Sequence, residues 1–336
     1  EDPFSQRFIV PFQDQLDAHG FYEDDLHLIV VMNYNDNPWF EESGLEKERT
    51  WAKDNLSSAM YDHVWLGAYN DHVENSLIDG AWFDACVDAH VKLKWQEVGA
   101  KIGSHDPSDT GDDSKGYAMR HGSIIKNVLE MGDGNVNEGG HWATDCAIAD
   151  GVDFFTWDCD GMGVALNEQI SKDLSEKNIR IAMFKGSESP DHPKTIYKPS
   201  QHVEVADQKR NEDVFRNKRA QYYVDLRDRC YRTYRWVVHG EYADPDDCIS
   251  FSSEMELLRK LRSELCRMPV KPHSGGLITL YTKQEMKSMF GFKSPNLGDS
   301  VVMSLRYISV DIIKPYIPKA LPVGGSGNGV RGGRGR

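Results

Sequence analysis

Apolar positions recur along this chain in short blocks, separated by acidic residues and by Asn, Gly and Pro. The run Leu26-His-Leu-Ile-Val-Val-Met-Asn33, closed by Asn37-Pro38, predicts one strand. The charged stretch from Glu41 to Leu56 predicts a helix. Residues 68 to 80, with Asn70, Asp71, Asn75, Asp79 and Gly80, predict a connector and place a domain boundary near residue 75. Beyond it, strands are expected at 100–105, 117–121 and 123–130, the last two joined as a hairpin at Gly122. A helix near 141–150, a strand at 153–157, a helix after Gly161 and a fifth strand at 179–184 follow, and then a long loop at 186–208. Helices are expected at 213–235, 254–267, 283–290 and 297–308, and the Gly- and Arg-rich end from Gly324 to Arg336 predicts disorder. The order β-β-β-α-β-α-β with helices afterwards predicts an α/β fold, a mixed sheet flanked by helices.

Composition narrows the class. With 39% hydrophobic and 27% charged residues in 336, and no apolar run near the roughly 18 residues that span a bilayer, a soluble protein without a membrane partner is expected. Six cysteines (Cys86, Cys146, Cys159, Cys230, Cys248, Cys266) form no CxxC pair, which argues against a zinc site or a disulfide framework and for reduced thiols. The net charge of -14 is unevenly spread: residues 1–80 hold 17 Asp and Glu against 4 Lys and Arg, so the remainder is nearly neutral. Within that remainder, 209–235 carries nine basic and four acidic residues among several aromatics, a candidate surface for a polyanion.

Three carboxylates fall at element ends. Asp106 closes the first strand of the second region, Asp158 closes the fourth, and Asp299 stands one turn into the last helix. Neighbouring strands one and four would bring Asp106 and Asp158 together, and a helix across the sheet would add Asp299. Hard oxygen donors that leave coordination positions for water and phosphate suit Mg²⁺ or Mn²⁺, and two such ions suit phosphodiester cleavage. Each residue also has an ordinary role: Asp106-Pro107 is a turn initiator, and an acid in a first helical turn complements the helix dipole. Asp158-Cys-Asp160-Gly161 resembles the front of a calcium loop, but Gln169 stands where the bidentate Glu belongs. Asp109 and Asp160 are auxiliary ligand candidates, and His105 and His121 are candidate metal or phosphate neighbours. Lys185, Arg216, Lys218 and Arg219 are the candidates for DNA contact. No GxxxxGK[ST] loop occurs, so ATP hydrolysis is not expected of this chain.

The stretches HDPSDTGDDSKGYAMRHGSII, FFTWDCDGMG, MFKGSESP, DVFRNKRAQYY, VVHGEYADPDD and SPNLGDSVVM, in this order, resemble the large terminase subunit of tailed double-stranded DNA phages, closest to the group of short-tailed enterobacterial phages. The resemblance runs from about residue 1 to 308. It implies the end of a packaging ATPase domain with its linker over 1–75, Walker motifs absent, an RNase H-like nuclease over 76–316 and a flexible tail over 317–336. It also implies a truncated or split product that keeps the nuclease without the motor. Asp106, Asp158 and Asp299 match the family's metal-binding carboxylates. The implied activity is metal-dependent endonucleolytic cutting of concatemeric double-stranded DNA in the host cell cytoplasm, with a portal protein and a small terminase subunit as partners. A non-catalytic module docking portal or small subunit, and an RNase H-like resolvase, are the alternatives.

Overall fold

The computed structural model describes residues 3–55, 61, 64–67, 76–110, 113–198, 204–271 and 275–306. The predicted tail, the last residues of the 297–308 helix and the boundary placed near residue 75 lie outside these. The acidic first segment holds helices α1 (Pro3–Phe8), α2 (Gln13–His19) and α3 (Glu46–Asn55) and an antiparallel ribbon of β1 (Phe21–Glu23) and β2 (Leu28–Val30). The strand expected over 26–33 is therefore only three residues long. Its partner, Phe-Tyr-Glu, is too short to show a period in sequence.

After the short helices α4 (Gly80–Cys86) and α5 (Ala89–Lys92) come β3 (Lys101–Asp106), β4 (Lys115–His121), β5 (Ile124–Met131), α6 (Val136–Ala149) and β6 (Phe154–Asp158). Then follow α7 (Asn167–Leu174), β7 (Arg180–Phe184), α8 (Asn211–Val214), α9 (Lys218–His239), β8 (Ser250–Phe251) and α10 (Leu258–Cys266). A ribbon of β9 (Val270–Lys271) and β10 (Thr279–Leu280) leads to α11 (Lys283–Phe290) and α12 (Asn296–Ser304). Six strands form one mixed sheet in the order β7-β6-β3-β4-β5-β8. β3, β4 and β5 run antiparallel in succession, while β6 lies parallel to β3, β7 to β6 and β8 to β5. Strands one and four of the predicted region are thus neighbours, an arrangement the predicted order allows.

Alternation along the strands gives the sheet two buried faces. Tyr117 and Met119 of β4 and Phe155 and Trp157 of β6 pack with Ala143 and Ala147 of α6 and with Ile170 of α7. Ala118, Ile125 and Val128 face the other way, against α9, α10 and α12, where Tyr223, Leu261, Leu297 and Val301 are fully buried.

Helix ends depart from expectation at α6 and at the 213–235 helix. α6 begins at Val136 and not near 141, because Asn135 caps it by accepting the Asn137 and Glu138 amides. The pair Gly139-Gly140, ahead of the expected start, lies inside the helix. A side chain on Gly139 would collide with the stem of the fully buried Lys115, at 2.4 Å from its Cδ. The helix expected over 213–235 is two pieces, α8 and a 22-residue α9 capped by Asn217 and closed by the left-handed Gly240.

Candidate metal centre

Parallel pairing places His105 beside Trp157, so the next residues, Asp106 and Asp158, end adjacent strands side by side. Both belong to the face of the sheet that meets α12: Ser104, two residues before Asp106, donates its hydroxyl to the Ser300 carbonyl at 2.6 Å. α12 reaches this close because its neighbours on the sheet are small. Gly116 pairs with Asp106 across β3 and β4, and a Cβ on it would stand 2.3 Å from the Asn296 carbonyl oxygen and 2.7 Å from the Ser300 hydroxyl. The first turn of α12 is further held by Glu264 of α10, which accepts the Gly298 amide at 2.9 Å. Asp299 projects from that turn.

Positive charge surrounds the three acids. Lys283, the first residue of α11, donates to Asp106 Oδ2 at 3.1 Å and lies 3.9 Å from Asp299 Oδ2. Arg219 of α9 contacts Asp299 Oδ1 through Nε and Nη2 at 3.2 and 3.1 Å, and Tyr223 donates to the same oxygen at 2.8 Å. Asp106 is only 2% exposed. Burial pushes its carboxyl up to about 6, with Lys283 working against the rise. Burial, and then the charge of Asp106, raise Asp158 to about 7. The same burial opposes charge on Lys283 and Arg219, but their acidic neighbours outweigh it and hold both cations above their ordinary values. Burial also lifts the Tyr223 phenol well above its ordinary value, so the hydroxyl stays a donor. A cavity of about 340 Å³ is lined by Asp158, Asp160, Gly186, Arg219, Lys283 and Asp299 among others.

The predicted site residues separate by environment. Asp106 and Asp158 end neighbouring strands, and Lys283 stands between Asp106 and Asp299. Among the described residues, no three His, Cys, Asp or Glu side chains stand where they could jointly hold a metal ion; Lys283 pairs with Asp106 and Arg219 with Asp299. The donor chemistry nevertheless fits a hard divalent cation: three carboxylates from three elements, two with raised affinity for a positive charge, and a lysine ammonium standing in between Asp106 and Asp299.

Asp109 accepts the Val136 amide at 3.2 Å, at the start of α6. Asp160 lines the cavity but has both oxygens on Ser187, at 2.7 Å from its hydroxyl and 2.8 Å from its amide. The His105 ring turns to the opposite face, against Trp142, with Nδ1 donating to the Gly116 carbonyl; burial lowers its pKa to about 4. His121 ends β4 opposite Lys101, at the far end of β3 from Asp106. Lys218 is 7% exposed and engaged with Glu188 and Asp191, and Arg219 is turned inward, while Arg216 is exposed and Lys185 half-buried. Lys283 and Glu264 are not among the residues the sequence pattern singles out, and Tyr223 enters there only as one of the aromatics of the basic 209–235 segment. The only signal was a lysine and a tyrosine in polar helices, which solvated residues and core residues produce equally.

The nuclease domain of the large terminase subunit gp2 of bacterial virus Sf6 superposes on this chain with a TM-score of 0.65 and 47% identity, covering 70% of this chain and 100% of that one. The chain belongs to the large terminase subunits. It contains their nuclease domain, and its mixed sheet flanked by helices is the RNase H-like fold of that domain. A lysine-to-alanine mutant of the Sf6 terminase nuclease domain with manganese and beta-thujaplicinol matches with the same TM-score, identity and coverage. The same mutant with calcium matches at 47% identity and a TM-score of 0.64, covering 69% of this chain and all of that one. No protein-family model and no curated protein matches the chain.

Proposed function

We propose that this terminase chain is a divalent-metal-dependent endonuclease that cuts concatemeric double-stranded DNA during genome packaging, with Asp106, Asp158 and Asp299 as the metal-binding and catalytic residues. The observation that carries the reading is that Asp158 of β6 and Asp299 of α12 line one open cavity, with Asp106 of β3 on the strand beside Asp158 and paired to the cavity's Lys283, in a domain 47% identical to a viral terminase nuclease. Mg²⁺ or Mn²⁺, bound as two ions, would supply an activated water and charge stabilisation at the leaving oxygen.

The chain's own residues prepare the rest. Asp106 and Asp158, held at the ends of adjacent strands, concentrate negative charge that water screens poorly. Lys283 neutralises part of it and keeps an ammonium at the edge of the cavity, where a phosphate must enter. Lys185 and the exposed Arg216 are the residues we assign to the DNA backbone; Asp109 and Asp160 serve the scaffold around the ligands. We assign residues 1–75 to the end of the packaging ATPase domain and linker and 76–316 to the nuclease; the tail expected over 317–336 lies outside the described residues. Portal protein and small terminase subunit are the assigned partners, in the host cytoplasm.

Plasmid DNA incubated with the chain and Mn²⁺ or Mg²⁺ should be nicked and then linearised. Asp106→Ala and Asp158→Ala should abolish both products while leaving the fold intact by circular dichroism. Undiminished cutting by both variants would refute the site.

A further inference from the structure

Asp299 is a carboxylate whose two oxygens do different work. Oδ1 receives three hydrogen bonds, from Arg219 Nε at 3.2 Å, Arg219 Nη2 at 3.1 Å and the Tyr223 hydroxyl at 2.8 Å. Oδ2 has the Lys283 ammonium 3.9 Å away, toward Asp106. An oxygen with three donors has little lone-pair capacity left for a cation, whereas its partner remains available.

Both donors come from one surface of α9, since residues 219 and 223 are one turn apart. The guanidinium carbon lies 5.1 Å from the centre of the Tyr223 ring, and Arg219 Nη1 donates to the Tyr281 carbonyl at 3.2 Å. Arg219 thereby ties α9 to both α12 and the strand end that precedes α11. Tyr223 is fully buried among apolar side chains. A phenylalanine would fill that space without the cost of burying a hydroxyl. The hydroxyl's position against Asp299 Oδ1 is what a tyrosine supplies there and a phenylalanine does not.

We propose that Tyr223, with Arg219, is a positioning residue that clamps Oδ1 of Asp299 and so presents Oδ2 alone to the divalent cation. This rests on the nuclease reading and sharpens it: Asp299 is a one-oxygen ligand whose geometry is set from α9. Groups that orient a metal ligand typically change affinity by about 10- to 100-fold when removed.

Tyr223→Phe deletes one oxygen and keeps the buried ring. Free Mn²⁺ is measured by electron paramagnetic resonance as it is titrated into the chain, alone and with a DNA duplex. The Mn²⁺ concentration for half-maximal plasmid nicking is measured in parallel, and the unfolding midpoint in EDTA checks the fold. Tyr223→Phe should raise the half-saturating Mn²⁺ about 10-fold or more in both readouts, with nicking recovering toward wild type at saturating Mn²⁺. Arg219→Lys keeps the charge, loses the two-nitrogen contact and should move both in the same direction. Unchanged half-saturation in a folded Tyr223→Phe chain overturns the clamp. Asp158→Ala in the same assay separates the two levels: if it still cuts, the metal site assigned under the nuclease reading fails. If it is silent while Tyr223→Phe is unaltered, the clamp alone fails. A wild-type chain that binds no Mn²⁺ with or without DNA overturns both.

Discussion

The Lys283 ammonium stands 3.1 Å from Oδ2 of Asp106, joining two residues 177 positions apart in the chain. Asp106 is almost without solvent, so this lysine supplies much of the charge compensation that water would otherwise give. Lys283→Met should therefore destabilise the domain, by about 1–3 kcal/mol given that the lysine is itself partly exposed. Added Mn²⁺ should recover part of the loss, because a ligand of the folded state alone stabilises it. Urea unfolding of wild type and variant with EDTA or Mn²⁺ measures both effects; equal midpoints in EDTA would contradict the pairing.

Gly116 is where the sheet admits α12. An alanine there forces the Asn296 carbonyl and Ser300 outward and carries Asp299 with them. The expected cost of such overpacking is about 1–3 kcal/mol, together with loss of nicking well below the unfolding temperature. Full activity with an unshifted midpoint would show that α12 tolerates displacement.

Basic residues near the cavity should divide into two kinds. Arg216→Ala and Lys185→Ala should each weaken duplex binding and lower the slope of log affinity against log salt by about 1, leaving stability unchanged. Lys218→Ala removes a buried partner of Glu188 and Asp191 and should lower the unfolding midpoint. Fluorescence anisotropy across a salt series, beside thermal melts, distinguishes them. A Lys218 variant that lost DNA affinity with an unchanged melt would reverse this division.

Glu264 carries a pH dependence. Burial raises its carboxyl to about 8, against the lowering effect of the Gly298 amide. In the unfolded chain the group titrates near its ordinary 4.5. The folded chain thus holds a proton that the unfolded chain has released, so this contribution is fully present below about 4.5 and is lost as pH rises through about 8. Glu264→Gln keeps an acceptor for Gly298 and carries no charge. Its stability relative to wild type should increase steadily from pH 5 to pH 9, read as the difference in urea midpoint. Parallel pH curves for the two proteins would exclude the titration.

The sequence by itself was enough to determine the order of strands and helices through β3 to β7, and the placement of Asp106, Asp158 and Asp299 at element ends. Those properties are local: a period of two, Gly and Asn punctuation and a carboxylate closing a strand are written in consecutive residues. It also determined the family, through several motifs in order. It missed α4, α5 and the two-residue β8, which are too short to show a clear period, and the true start of α6, where Gly139 lies inside a helix and against Lys115. The tertiary structure alone decided which charges meet. Tyr223 and Arg219 reach Asp299 across 76 and 80 positions, Lys283 reaches Asp106 across 177, and Asp160 is bound to Ser187. Distant ion pairs leave no period and no spacing in a chain. They arise only when a glycine such as Gly116 lets a helix settle on the sheet and buried charges must find partners.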